Sequence, residues 1–120
     1  MRKFKYLISI ILLCFCFVGC SNNGNSGTIS YVKAKELIIN NQAVLVDVRT
    51  IDEYNENHID GAVNLPVDEI SDNVDNVIDS KNSYVIVYCK SGVRSHEAYE
   101  KLVGLGYKNV YDFGSIDNWK

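Results

Sequence analysis

The sequence has few cysteines, and this scarcity excludes several classes of small protein. Four cysteines occur in 120 residues, and three of them lie within the first twenty positions. The rest of the chain therefore has a single cysteine, Cys89. One cysteine cannot form an intrachain disulfide framework, and it cannot build a multi-cysteine metal site. We accordingly expect no metal and no cofactor, and a lone thiol that has another purpose.

Basic residues are also scarce once the N-terminus is set aside. Beyond the first five positions, nine Lys and Arg stand against fifteen Asp and Glu, a net charge of −6. No basic run remains that could follow a phosphate backbone, so we expect no nucleic acid partner. The acidic balance is typical of a solvated surface.

The chain lacks a long hydrophobic run, but it begins with a short one. A basic segment, Met1–Lys5, precedes about thirteen mainly apolar residues ending at Val18, fewer than the roughly 20 of a membrane-spanning helix. This order is typical of a secretory signal. Its end, Phe17-Val18-Gly19-Cys20, resembles a bacterial lipobox, although Phe17 stands where such motifs usually have Leu.

That resemblance implies three segments and an extracytoplasmic location. Residues 1–19 would be a lipoprotein signal peptide, Cys20 would be lipidated, and residues 20–27 would form a flexible tether to the membrane. The alternative is an uncleaved N-terminal anchor. Both interpretations place the folded part, residues 28–120, outside the cytoplasm and at a membrane.

Short apolar runs alternate with segments of helical spacing along the rest of the chain. Strands are predicted at 43–48, 84–88 and 109–113, with brief ones at 28–29 and 61–66. Helices are predicted at 31–40, 67–78 and 95–105, with a short one capped by Thr50 or Asp52 and ending at Asn57. The alternation predicts one α/β domain with a mainly parallel sheet.

Cys89 directly follows the clearest buried strand and precedes a loop and a helix. Ligands bind beyond the carboxyl ends of strands in such sheets. Backbone N–H groups of the loop, with Gly92 supplying an unusual conformation, would face the sulfur and stabilise a thiolate. Lys90 and Arg94 add positive charge nearby. A buried cysteine that merely fills space is the alternative, and the flanking residues favour a reactive one.

The loop Cys89-Lys90-Ser91-Gly92-Val93-Arg94-Ser95 resembles the active-site loop of single-domain rhodaneses. Three further segments are similar to signatures of that family: Val46–Arg49 followed by Glu53-Tyr54, His58–Pro66, and Gly114–Trp119. Asn57 stands where the family usually has Gly, and we expect it to keep the turn through a left-handed conformation. The resemblance implies a three-layer fold with a mainly parallel five-stranded sheet flanked by helices.

The same resemblance implies a mechanism and its residues. The Cys89 thiolate would take the outer sulfur of a small anionic donor such as thiosulfate, and a thiol or cyanide acceptor would then remove it. Residues 90–95 would bind the persulfide and the donor, with Arg94 attracting the anion and Ser91 and Ser95 adding hydroxyl groups. Four residues are assigned to structural support, with Arg49 and Glu53 bracing the loop: Asp47, Arg49, Glu53 and His58. We expect His96 to face solvent and the protein to be a monomer.

Three alternatives remain open at this point. Related phosphatases and arsenate reductases usually space Cys and Arg by five residues, whereas four lie between Cys89 and Arg94; a shorter cradle fits one sulfur atom better than a phosphate. A binding module that keeps the fold without catalysis is the second alternative, although inactive copies often lose the cysteine. A thiol-redox role for Cys89 is the third, and it would need an intermolecular partner.

Overall fold

Four parallel strands form the sheet of this structure, a computed structural model that describes residues 27–120. In chain order they are β1 (Val44–Asp47), β2 (Val63–Asn64), β3 (Tyr84–Cys89) and β4 (Asn109–Ser115). Across the sheet their order is β2-β1-β3-β4. The strand that carries Cys89 is therefore internal, and its carboxyl end lies between those of β1 and β4.

Within residues 27–120, four α-helices and three 3-10 turns connect and cover the strands. The α-helices are α1 (Tyr31–Asn41), α2 (Ile51–Glu56), α3 (Ile70–Asn73) and α4 (Val93–Gly104). The 3-10 turns are Val67–Glu69, Val74–Asn76 and Ile116–Asn118. Within the described part of the chain, none of the helices combines the length and the apolar character needed to cross a bilayer. The predicted signal peptide 1–19, the lipidation site Cys20 and the tether up to residue 26 lie outside the described residues.

Two predicted helix caps are confirmed. Ser30 accepts a hydrogen bond from the Lys33 N–H at 3.1 Å and begins α1. Thr50, rather than Asp52, begins α2: its hydroxyl accepts from the Glu53 N–H, and the Glu53 carboxylate accepts from the Thr50 N–H. This reciprocal pair satisfies two backbone donors that would otherwise lack partners.

Two apolar layers lie on opposite faces of the sheet, which confirms the three-layer α/β class. Alternate residues of β3 supply both, because successive side chains of a strand point to opposite faces. Val85, Val87 and Cys89 pack with α3 and α4, while Ile86 and Tyr88 pack towards α1. The sheet has four strands rather than the expected five. Residues 28–29 make one backbone hydrogen bond to β4, from Ile29 N–H to Asp112 C=O at 2.9 Å, which is too little to form a ladder.

Two helix boundaries also differ from prediction. The segment 67–78 is not one helix but a short α-helix between two 3-10 turns, because its apolar spacing is interrupted by Asp and Asn, which compete for backbone hydrogen bonds. The last helix begins at Val93 instead of Ser95. Gly92, with φ of 101°, ends the loop in one residue and lets the helix begin at once.

Candidate active site

The sulfur of Cys89 sits at the carboxyl end of the internal strand and beneath the first turn of α4. The residue has 0% exposed surface. Its Sγ accepts hydrogen bonds from the N–H of Gly92 at 2.9 Å and from the N–H of Ser95 at 3.3 Å. Sulfur is a weak acceptor when protonated, and such bonds strengthen when the acceptor is an anion. The cradle is therefore best matched to a thiolate or to a persulfide carried on Cys89.

Gly92 makes this cradle possible through its backbone conformation rather than its size. A Cβ at position 92 would lie 3.8 Å from the Cα of Gly114, which is ordinary contact. The φ of 101°, however, is a conformation that residues with a side chain rarely adopt. It turns the chain so that the N–H groups of residues 92 and 95 converge on one sulfur atom.

Two hydroxyl groups hold the loop by donating hydrogen bonds to its backbone carbonyls. The hydroxyl of Ser95, a buried residue, donates to the carbonyl of Gly92 at 3.1 Å and closes the first turn of the helix. The hydroxyl of Ser115, at the end of β4, donates to the carbonyl of Lys90 at 2.6 Å. The loop is thus held to the neighbouring strand as well as to its own helix.

Arg94 is not a free cation in this site. Its two terminal nitrogens donate to the two carboxylate oxygens of Glu53, at 2.7 and 3.1 Å. This pair holds the pKa of Glu53 at about 2, and it raises the pKa of Arg94. Of the two residues expected to brace the loop, Glu53 binds Arg94 at the start of α4, whereas Arg49 pairs with Asp47.

Arg49 belongs to a separate buried network that lies beside the strand end. It binds the Asp47 carboxylate through its side chain, with the shortest contact, from Nη2, at 2.7 Å. The Tyr88 hydroxyl donates to the same carboxylate at 2.7 Å. Arg49 also donates to the carbonyl of Asn57 at 2.6 Å. The hydrogen bonds between Arg49 and Asp47 raise the pKa of Arg49. Every buried side-chain polar atom in the described region has a partner, so the network is fully satisfied.

The expected left-handed conformation of Asn57 is wrong. Its φ of −168° and ψ of 150° are extended, and any residue adopts such values. The turn is maintained instead by the carbonyl of Asn57, which accepts from Arg49, and by Gly61, with φ of 86°. No glycine is required at position 57.

The remaining predicted residues lie at the surface. His58 is exposed, stacks on Tyr54 with ring centroids 3.8 Å apart, and binds the Tyr54 carbonyl through Nδ1 at 2.9 Å. The side chains of Lys90 and Ser91 are exposed on the loop, and that of Val93 is exposed at the start of α4. His96 is also exposed, as expected. Among residues 27–120, no three His, Cys, Asp or Glu side chains form a group suited to hold a metal ion.

The sequence matches a family model and known relatives. A family model for the rhodanese-like domain matches residues 30–120. The chain belongs to the rhodanese-like family. It is 35% identical over 71 residues to the thiosulfate sulfurtransferase PspE of Escherichia coli, covering 59% of this chain and 68% of that protein.

Other relatives agree with this assignment. The chain is 34% identical to the thiosulfate sulfurtransferase GlpE of Coxiella burnetii over 93 residues, covering 77% of this chain and 85% of that protein. Among solved structures, a rhodanese with anions from E. coli superposes with a TM-score of 0.61 at 33% identity, covering 63% of this chain and 89% of the other. The rhodanese-like family to which the chain belongs therefore includes sulfurtransferases.

Two residues of the site were not identified from the sequence in the roles that they have. The sequence places Tyr88 only in a buried strand, although the hydroxyl of a buried tyrosine usually needs a hydrogen-bond partner. The sequence assigns Glu53 to structural support, but its partner Arg94 lies 41 positions away. No local spacing reports such a contact.

Proposed function

We propose that this domain moves a sulfane sulfur from a donor such as thiosulfate to a thiol or cyanide acceptor through a persulfide on Cys89. The observation that carries the proposal is the convergence of two backbone N–H groups, from Gly92 and Ser95, on the Cys89 sulfur. Relatives that share about a third of the sequence are thiosulfate sulfurtransferases, which supports this reaction class.

The proposed reaction has two half-reactions that return the enzyme to its initial state. The Cys89 thiolate attacks the outer sulfur of thiosulfate, a new S–S bond forms, and the original S–S bond breaks with its electron pair leaving on sulfite. The terminal sulfur of the persulfide is then attacked by cyanide or by an acceptor thiolate. Thiocyanate or an acceptor persulfide departs, and the Cys89 thiolate is regenerated.

The chain's own residues have defined tasks in these steps. The two backbone N–H groups stabilise negative charge on sulfur without the cost of reorganising solvent. Ser95 and Ser115 hold the loop that presents those groups, through the carbonyls of Gly92 and Lys90. Exposed Lys90 adds a positive charge near the entrance. No proton transfer is needed, so His58 has no required chemical role.

Steady-state kinetics test the proposal. The purified full chain is given thiosulfate and cyanide, each varied at several fixed concentrations of the other, and thiocyanate is measured. Parallel double-reciprocal lines, the signature of a ping-pong reaction, are expected, and Cys89→Ser is expected to form no thiocyanate. Intersecting lines, or activity retained by Cys89→Ser, would contradict the persulfide route.

We also propose that the domain is exported and anchored at a membrane through a lipid on Cys20. The order of basic segment, apolar segment, Gly19-Cys20 and polar tether supports this. Metabolic labelling with an alkyne fatty acid tests it. Labelling is expected for the native chain and for Cys14→Ala/Cys16→Ala, and its loss is expected for Cys20→Ala. Equal labelling of the Cys20→Ala chain would refute the anchor.

A further inference from the structure

Arg94 lies in the first turn of α4, next to the loop that would receive an anionic donor, but its positive charge is paired with Glu53. Arg94 and Glu53 have side chains only about one-third exposed, 32% and 27%. The contact is bidentate, so one N–H of each terminal nitrogen is already bonded and the carboxylate neutralises the guanidinium charge. A dianion arriving at Cys89 meets a neutral pair where the sequence alone suggests a cation.

Glu53 is also fixed in place by its own helix. Its Oε1 accepts from the backbone N–H of Thr50 and from the Thr50 hydroxyl, both at 3.1 Å. Turning the carboxylate away from Arg94 would therefore break the cap of α2 as well as the ion pair. The structure holds the negative charge beside the loop.

We propose that Glu53 is a positioning residue that sets donor preference: by neutralising Arg94 it makes the site less favourable to small dianionic donors than to donors of lower charge. This inference rests on the proposed sulfur transfer and names the substrate class of that same site. Glu53 acts through Arg94 and need not touch the donor.

Two donors that break the same kind of S–S bond but differ in charge separate the effect of donor charge from the effect of the reaction itself. Thiosulfate is a dianion that leaves as sulfite, and benzenethiosulfonate is a monoanion that leaves as benzenesulfinate. In both, the Cys89 thiolate takes the outer sulfur and the S–S bond breaks towards the departing group. A difference between them in response to Glu53 then reports on charge.

The first experiment measures KM and kcat for both donors with the wild-type full chain and with Glu53→Gln. Glutamine keeps an oxygen that can accept from Thr50, so α2 retains its cap while the charge is lost. At low ionic strength, KM for thiosulfate is expected to fall roughly fivefold in Glu53→Gln and KM for benzenethiosulfonate by about twofold, with kcat little changed. The thiosulfate effect is expected to shrink as salt is added.

Glu56→Gln is the matched control, since it removes the same charge from the same helix. Glu56 is exposed, and its side chain makes no hydrogen bond or ion pair among the described residues. Equal shifts for the two donors, a rise in KM for thiosulfate, or the same shift in Glu56→Gln would overturn the proposal.

A second experiment separates failure of this inference from failure of sulfur transfer itself. Iodoacetate and iodoacetamide have nearly the same shape and both alkylate a thiolate by displacing iodide, but only iodoacetate is charged. Their rates at Cys89 are followed by peptide mass spectrometry in the full chain. The ratio of the iodoacetate rate to the iodoacetamide rate cancels changes in sulfur reactivity, and it is expected to rise in Glu53→Gln but not in Glu56→Gln.

The two experiments have distinguishable outcomes. A wild-type chain that transfers no sulfur from either donor refutes the proposed function, while the alkylation ratio still tests the charge effect. An unchanged ratio in Glu53→Gln refutes the role of Glu53 even where sulfur transfer is normal.

Discussion

The carboxylate of Glu53 binds both terminal nitrogens of Arg94, at 2.7 and 3.1 Å, and so joins helix α2 to the first turn of α4, which lies over Cys89. The same carboxylate caps α2 through Thr50. One side chain therefore ties the end of β1 to the end of β3, across 41 positions of sequence. The shape and the charge of the site depend on this contact.

Stability at low pH is expected to depend on that pair. Arg94 lowers the pKa of Glu53 from its ordinary 4.5 to about 2. Because the pKa is lowered in the folded state, the stabilisation is complete above pH 4.5 and is lost as pH falls towards 2. Urea unfolding is expected to show Glu53→Gln less stable than wild type by about 1 kcal/mol at pH 7, since the pair is partly exposed.

The difference between the two proteins is expected to shrink towards zero as pH falls from 4.5 to 2. Glu56→Gln, which has no ion pair to lose, provides the comparison. A difference between wild type and Glu53→Gln that stays constant over this range would show that the charge of Glu53 does not stabilise the fold.

The buried network around Asp47 is expected to matter far more for stability. Asp47→Ala removes the carboxylate that accepts from both the Arg49 guanidinium and the Tyr88 hydroxyl. Arg49 is only 4% exposed. Breaking a buried pair in this way costs about 3–5 kcal/mol. Lys33→Met, which breaks the exposed Lys33–Glu36 pair, is expected to cost less than about 0.5 kcal/mol. Similar losses in urea unfolding for both variants would contradict the assignment.

Gly92→Ala separates the need for a positive φ from general helix stability. Alanine at φ of 101° is strained, and the loss is expected to be about 1–2 kcal/mol, with most sulfur transfer lost because the N–H groups leave the sulfur. Gly104→Ala, at the other end of the same helix with open space around it, is expected to leave activity unchanged and to raise stability by about 0.5 kcal/mol. Full activity in Gly92→Ala would show that the cradle is dispensable.

His58→Gln tests whether His58 has a chemical role. His58 contacts Tyr54 by stacking and by a hydrogen bond to its carbonyl, and the proposed reaction needs no base. Thiocyanate formation is expected to stay within about twofold of wild type across pH 6–9. A loss of a hundredfold or more, or a changed pH profile, would make His58 a participant.

The parts of the fold that the sequence predicted are those set by local physics. The strand 84–88 and the caps at Ser30 and Thr50 follow from an apolar run and from side-chain oxygens at helix starts. The broken segment 67–78 did not follow, because apolar spacing reports which residues face the core and not whether the backbone stays helical between them. A fifth strand at 28–29 failed because pairing is a tertiary property.

The site shows the same division. Position 92 was predictable, since a glycine after a strand and before a helix indicates a turn that only glycine adopts easily. The pairing of Glu53 with Arg94 and of Arg49 with Asp47 was not, because both arginines and both carboxylates are within reach of the same sheet edge. Only the three-dimensional arrangement decides which carboxylate each arginine binds.

Intact mass spectrometry of the purified chain after incubation with thiosulfate tests the central claim most directly. A gain of about 32 Da, one sulfur atom, is expected on wild type, located at Cys89 by peptide analysis and absent from Cys89→Ser. Addition of cyanide is expected to remove this mass and to release one thiocyanate for each sulfur lost. A Cys89 that alkylates readily but never gains sulfur from thiosulfate or benzenethiosulfonate would contradict sulfur transfer by this domain.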